Sequence, residues 1–296
     1  MRNQVVQLLC LTGPSVGTPM LQANFPTMPR SEVKDMLCRY RHVWQYQNQR
    51  LIHRLRWHHP GTVWAVDHLQ PDRPIDGIYP YAISIRDLAS HYQLAWQPVP
   101  DVGAESTTTV LASLFWEHGP PLVLKSDNGP GFIAAETGCL LATWGILHLR
   151  SPPVTPQYNG SCEAAGGSHK RMTNDQAALA AHPERWTSGD LQRSRMIRNY
   201  LDRPWGHRGP TPEQVWKTRQ TTTPTQRSQL NATVHRYRQE ERTQRGIPDE
   251  AVLGGAAQAS VDRVAISRAL RRHGYLSATR RLVTPSVKHR GAARFP

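Results

Sequence analysis

The 296-residue chain carries 36 Lys and Arg against 22 Asp and Glu, a formal net charge of +14 and a pI near 10.2. That excess points to a polyanionic partner, nucleic acid ahead of a membrane surface. No run approaches the roughly eighteen consecutive apolar residues that a membrane-spanning helix requires, and no membrane partner is expected.

In chain order, residues 1–30 are rich in turn formers and predict no element. Val5 to Thr12 is apolar but short and lacks the layout of a signal peptide. A helix is expected over 31–57, with Ser31 as N-cap and Val33, Leu37 and Tyr40 recurring on one face. Its second half, Arg39 to Arg56, is heavily basic. His58-His59 reads as linker, because adjacent residues rarely share a face and no further ligands lie near in sequence. Cys10, Cys38, Cys139 and Cys162 are scattered with no C-x-x-C pair. They read as free thiols of a reducing compartment, so a cytoplasmic location is expected, nucleoid-associated when DNA is bound.

The pattern from Thr62 onward is mixed α/β. Strands are expected at Thr62 to Leu69, Tyr79 to Leu88 and Gln93 to Val99, the last two as a hairpin. Ser106 to His118 is a helix, with Val110, Leu111, Leu114 and Phe115 at helical spacing, stopped by Pro120-Pro121. A short buried strand, Leu122 to Lys125, follows. Then come a helix from Phe132 to Trp144 ended by Gly145, a strand from Ile146 to Leu149, and a helix from about Ser161 to Ala181. Ser188 to Leu201 and Thr211 to Lys217 complete the helical set. Trp64, Trp96, Trp116 and Trp144 fall within or beside these elements and are expected in the core.

After Thr221-Thr222-Thr223-Pro224 the composition changes. Gln226 to Arg245 reads as an exposed helix of mixed charge, and Gly254 to Ala259 as a flexible linker. Arg263 to Pro296 holds nine Lys or Arg and no acid. Ile266 and Leu270 offer an apolar face there, while Arg268, Arg271 and Arg272 are candidates for DNA contact. The competing reading of this tail is a solvated, disordered segment. The divisions expected are thus an N-terminal helical or linker segment (1–59), a core (60–220), an exposed helix and linker (221–260), and a basic DNA-binding arm (261–296).

Three carboxylates stand in matching settings. Asp67 ends the apolar run Val63-Trp64-Ala65-Val66. Asp127 ends Leu122-Val123-Leu124-Lys125-Ser126 and precedes Asn128-Gly129. Glu163 follows Pro156-Gln157-Tyr158-Asn159-Gly160 and opens the expected helix. Each has an ordinary reading alone: a surface acid, turn chemistry, and an acid opposing a helix dipole. Converging, they could hold divalent metal, the apparatus for in-line attack on a phosphodiester.

In this order and spacing, Lys125-Ser126-Asp127-Asn128-Gly129 and Ser151-Pro152-Pro153-Val154-Thr155-Pro156-Gln157-Tyr158-Asn159-Gly160 resemble the catalytic core shared by retroviral integrases and bacterial insertion-sequence transposases. The resemblance to these Asp-Asp-Glu recombinases covers about residues 60–218. It implies an α/β fold with an RNase H-like mixed sheet flanked by helices. It further implies Mg²⁺ or Mn²⁺ on Asp67, Asp127 and Glu163, and metal-dependent cleavage and transfer of double-stranded DNA, both element ends and target. A homo-oligomer on DNA is implied as well. Asn128-Gly129 and Asn159-Gly160 are read as structural turns.

Lys170 lies seven residues after Glu163, on the same helical face, where the resemblance implies a DNA contact; Arg171 extends the positive charge. Gly166-Gly167 either admits DNA close to the backbone or merely weakens the helix. Related transposases carry a helix-turn-helix reader before the core, and retroviral integrases a His/Cys zinc module. Here His53, His58 and His59 lack paired cysteines and no second recognition helix is evident, which suggests a shortened form. Two rivals stay open: a metal-dependent nuclease that cuts without joining, and a catalytically silent DNA-binding relic.

Overall fold

A computed structural model describes residues 1–48, 51–152 and 156–282, apart from the side chains of 51–54, 156–166 and 280–282. The chain divides into two units, one of Met1–Leu55 with Ala278–Pro296, the other Arg56–Ser277.

The first unit begins with three helices, α1 (Arg2–Thr12), α2 (Thr18–Asn24) and α3 (Arg30–Gln47). Val5, Leu9, Leu21, Met28, Val33, Leu37 and Tyr40 pack together as its core. Arg41 fastens the turn between α1 and α2 by donating to the carbonyls of Pro14 (2.7 Å) and Val16 (2.7 Å). Two of these helices lie where the composition predicted none. Proline and glycine mark only their ends, with Pro19 in the first turn of α2 and Gly13 at φ 77° closing α1. The helix expected over 31–57 stops at Gln47, and strand β1 (Leu51–Trp57) takes over.

The second unit is built on a five-stranded sheet. Its strands are β2 (Val63–Leu69), β3 (Tyr81–Asp87), β4 (Gln93–Val99), β5 (Val123–Ser126) and β6 (Leu147–Arg150), in the order β4-β3-β2-β5-β6. β2, β3 and β4 are antiparallel neighbours, whereas β5 and β6 run parallel to β2. Around it lie α4 (Ala104–His118), α5 (Pro130–Ile133), α6 (Ala135–Thr143), α7 (Pro156–Leu179), α8 (Ser188–Tyr200), α9 (Pro212–Lys217), α10 (Pro224–Gln244) and α11 (Gly255–Arg272). Strand β7 (Leu276–Leu282) pairs with β1 in a separate two-stranded sheet. A mixed sheet in this order, covered by helices on both faces, is the RNase H-like fold.

Parallel strands need both faces covered, because the crossovers that join them lie on those faces. One face carries Trp64, Val66, Ile83, Ile85 and Leu124, packed with Val110, Leu111, Leu114 and Phe115 of α4 and Trp216 of α9. The other is covered in two parts. Over β2, β5 and β6, Val63, Ala65, Val123 and Leu149 meet Leu230 and Val234 of α10 and Ala265, Ile266, Ala269 and Leu270 of α11. Over β3 and β4, Ala82 and Trp96 meet Ala177 of α7, Leu191 of α8 and Trp186.

This packing redraws the expected C-terminal boundaries. α10 and α11 are structural layers of the sheet: the boundary at 260/261 falls inside α11, and Gly254 to Ala259 is its cap and first turns. The small residues there allow close helix packing as readily as flexibility. Arg268 is tied down by Glu240 (2.6 Å) and stacked over Tyr237 (4.1 Å), so it serves the α10–α11 contact. Arg271 and Arg272 remain exposed on the last turn of α11; the tail beyond Leu282 lies outside the described residues. Trp116, expected in the core, is 80% exposed and rests edge-on against half-buried Trp144. It flanks the apolar stripe of α4.

One arginine locks α10 to the sheet. Arg227 donates through Nη1 to the carbonyls of Pro121 (2.8 Å) and Gly145 (3.0 Å), and through Nη2 to Pro120 (2.9 Å). Gly145, at φ 62°, leaves the space its stem needs. We expect Arg227→Met to lower unfolding stability in urea by about 3 kcal/mol, since hydrogen bonds to a charged donor are lost and carbonyls stay buried. Arg227→Lys, with charge but no planar fork, should recover less than half; full recovery would show that charge alone suffices.

Candidate active site

β2 and β5 pair in parallel register, Val63 with Val123, Trp64 with Leu124 and Ala65 with Lys125. Two residues further on, the same register brings Asp67 level with Asp127, which follows β5 directly. Adjacent strands lie about 4.8 Å apart, so two carboxylates share one end of the sheet. Residues paired across strands point to one face, which puts Asp67 with Ala65 and with Ser84 and Arg86 of β3. This is the face over which α7 and α8 lie, and α7 runs against β2.

Helix α7 is pinned by its second half. Trp96 Nε1 donates to Thr173 Oγ1 (3.0 Å), Thr173 meets Ser194 Oγ (3.0 Å), and Arg198 Nη1 donates to Ser168 Oγ (2.7 Å). Trp186 Nε1 bonds Asn174 Oδ1 (2.6 Å). α8 is itself set by a capping box between Thr187 and Asp190. The backbone of Glu163 lies in the first half of α7, whose side chains from 156 to 166 fall outside those described. Half-buried Lys170 and exposed Arg171 follow on the same helix.

Asn159 and Gly160, expected to form a turn, are helical, because α7 starts at Pro156. Proline is favoured in a first helical turn, where its missing N–H costs nothing. Asn128 and Gly129 do form a turn. Asp127 Oδ1 accepts the Gly129 N–H (2.8 Å), and Asn128 Nδ2 donates to the Ser151 carbonyl (3.0 Å). Asn128 thereby ties the end of β5 to the residue that follows β6.

Residues not singled out from the sequence hold this turn in place. Gly131 sits against α4 so closely that a Cβ would meet Val102 O at 2.4 Å, Thr107 Oγ1 at 2.5 Å and Gly103 O at 2.6 Å. Phe132 is fully buried and stacks on His68 (4.5 Å between centroids, 9° between planes). His68 Nε2 lies 3.4 Å from Thr107 Oγ1. Burial pulls the His68 pKa down to about 4, outweighing the upward pull of Asp127 and Asp101. The ring is thus neutral near pH 7, an aromatic spacer beside a carboxylate. Ser126 Oγ donates to the Asp127 carbonyl (2.7 Å) and sits 2.8 Å from His148 Nε2. Signals for these roles were present as Asp67-His68 adjacency and the spacing Asp127-Asn128-Gly129-Pro130-Gly131-Phe132.

The donor set suits a hard divalent cation: two carboxylates level on neighbouring strands, with only oxygen to offer. Among the described residues no three His, Cys, Asp or Glu side chains form a metal-binding group.

The family described as integrase core domain matches residues 57–156. The Pol polyprotein of Radiation murine leukemia virus (strain Kaplan) is 28% identical over 133 residues, 45% of this chain and 22% of the polyprotein. The Gag-Pol polyprotein of Feline leukemia virus is 30% identical over 117 residues, 40% of this chain and 7% of its own length. The chain thus spans less than a quarter of either relative. Among solved structures, the HTLV-2 integrase catalytic core domain in complex with magnesium aligns with a TM-score of 0.45 at 18% identity, covering 54% of this chain and 99% of that one. A chain of the simian T-cell lymphotropic virus intasome in complex with PP2A regulatory subunit B56 gamma aligns with a TM-score of 0.47 at 17% identity, covering 74% and 78%.

Two outcomes follow from glycines of the site, one in the turn after Asp127 and one in α7. Gly131→Ala should lower the melting temperature, because carbonyl oxygens cannot yield to a methyl group; the cost is about 1–3 kcal/mol. Gly167→Ala, where a Cβ meets nothing within 4 Å, should stabilise the protein by about 0.5–1 kcal/mol. Thermal melts of both variants check this.

The His68 pKa lies below its ordinary value, so its contribution to stability is full above about pH 6.5 and is lost as pH falls through about 4. His68→Phe keeps an aromatic ring against Phe132 and should flatten the loss of stability between those pH values. An unchanged slope in urea titrations would remove His68 from the acid response.

Proposed function

Because this chain carries an integrase-like catalytic core, we propose that it is a divalent-metal-dependent polynucleotidyl transferase that cleaves DNA and joins the cut strand to a target. The observation that carries the reading is the β2–β5 register, which brings Asp67 level with Asp127 on the face that α7 covers. Asp67, Asp127 and Glu163 are the residues that would hold Mg²⁺ or Mn²⁺. Bound there, such ions supply Lewis-acid stabilisation of the attacking and leaving oxygens of an in-line displacement.

The chain's own groups do the rest. Lys170, two turns after Glu163 on the same face of α7, would take a backbone phosphate of the DNA. The Asp127-Asn128-Gly129 turn, clamped through Ser151 and Gly131, fixes one carboxylate against drift. His68 and Phe132 wall one side of that carboxylate with uncharged surface. Water is the first nucleophile and the freed 3′ hydroxyl the second. In the first displacement a water oxygen replaces the 3′ ester oxygen on phosphorus, leaving a free 3′ hydroxyl and a 5′ phosphate. In the second that hydroxyl replaces a 3′ ester oxygen of the target, so no covalent enzyme intermediate is needed. The net charge of +14 supports sequence-independent binding of double-stranded DNA. Both DNA ends must meet one target, which favours a homo-oligomer on DNA.

Strand-transfer assays with pre-cut DNA ends and a supercoiled target in Mg²⁺ test this directly. The wild type should yield joined products. Asp67→Asn, Asp127→Asn and Glu163→Gln should each reduce joining to background with melting temperatures within a few degrees of wild type. Cutting without joining would leave a nuclease. Near wild-type joining by any one variant would remove that residue from the ligand set.

A further inference from the structure

A second polar site lies on the same face of the sheet, where Arg86 stands opposite Ala65, two residues along β2 from Asp67. A cavity of about 290 Å³ is lined by Arg86, His91, His169, Arg198, Asp202 and Arg203, with Pro204 and Pro212. Arg86 comes from β3, opposite Ala65. His91 is in the turn to β4, His169 is in α7, and Arg198 is in α8. Three guanidinium groups face one carboxylate, an excess of two positive charges in a partly enclosed space. That carboxylate is already committed, since Asp202 Oδ2 sits 3.0 Å from Arg198 Nη2.

The fold holds this cluster together deliberately. Arg198 is fixed from below by Ser168 Oγ (2.7 Å). Arg203 Nη1 donates to the carbonyl of Gly209 (2.9 Å), and the rest of this exposed residue stands at the cavity. His91 bonds Arg86 through Nδ1, packs edge-on against Trp205 (5.3 Å), and is held at φ 63°. A non-glycine residue there carries strain of about 1–3 kcal/mol, of the kind that clusters at ligand clamps. His169 is 3% exposed, and its Nδ1 is buried with no hydrogen-bond partner. Buried polar groups normally have a partner, and His169 lines the cavity, so a group bound there is within its reach. Burial above all, and nearby guanidinium groups after it, disfavour the charged forms of both histidines.

We infer that this cavity is an anion site whose ligand is a phosphate group, gripped by Arg86, Arg198 and Arg203 and met by His169. Guanidinium forks match phosphate oxygens in pairs. The volume exceeds what one orthophosphate fills, which favours a phosphate within a larger molecule, either a free polyphosphate or a nucleic-acid strand. The site stands independently of strand transfer.

The test titrates inorganic pyrophosphate into the full chain by calorimetry, comparing wild type with Arg203→Gln and His169→Gln. Saturable binding with about one equivalent is expected, weakened about tenfold by Arg203→Gln through loss of a charge-assisted pair. In the wild type, the imidazole proton resonances of His91 and His169 should move with the same saturation curve, a readout that survives if a variant fails to fold. Duplex oligonucleotide is then added to the pyrophosphate complex. Displacement identifies a nucleic-acid phosphate as the ligand, and retention a free polyphosphate; either outcome supports the site. Unmoved histidine resonances, or equal affinity in wild type and Arg203→Gln, would overturn it.

Discussion

The parallel pairing of β2 with β5 is the constraint on which this molecule turns. An antiparallel partner can be reached through a tight turn, but a parallel one requires the chain to cross back over a face of the sheet. That crossing supplies α4 and forces both faces of β2 and β5 to be buried, hence the burial of Val63 to Val66 and of all four residues of β5. Each run ends in an acid because the crossovers leave the strand ends, and only those, open to water. The register then sets the carboxylates side by side without further device. Everything else in the site is a matter of holding α7 above that pair and holding the Asp127 turn below α4.

How legible this was depended on whether a residue's role was local. Strands β2, β3 and β4 could be read within two residues of their ends, because apolar runs bounded by turn formers are local signals. So could α8 and α9, whose Thr187 and Thr211 caps are visible in the chain. α7 was misplaced by five residues because Pro-Gln-Tyr-Asn-Gly reads as a turn unless one knows that proline is the first helical residue. β1 was mistaken for helix because its partner, β7, lies more than two hundred residues away in sequence. Trp116 was expected in the core on type alone, and its place on the flank of α4 depends on which stripe of that helix meets the sheet.

The arginines tell a similar story about charge. By composition they read as surface for DNA. In the fold many serve as fasteners to backbone carbonyls: Arg41 in the first unit, Arg227 in the first turn of α10, Arg242 on Pro248, Asp249 and Ala251, and Arg263 on Arg150 (2.9 Å). Five fixed N–H donors let one side chain close a loop that would otherwise need several waters. The charge remains and still attracts a polyanion, but it is delivered at fixed positions rather than on swinging tethers. Three arginines gathered round His169 are the extreme of that habit.

The layer formed by α10 and α11 also fixes what can be separated from what. Val63, Ala65, Leu122, Val123 and Leu149 are almost wholly covered, and the helices that cover them lie beyond residue 220. A fragment cut where the family likeness fades would present this strip of valine and leucine to water, a contiguous patch of the sort that drives self-association. The candidate chemistry and the folding unit therefore have different borders. For this chain, the smallest piece that stays monodisperse long enough to be assayed should extend through Leu276, well past the last residue with any part in the reaction.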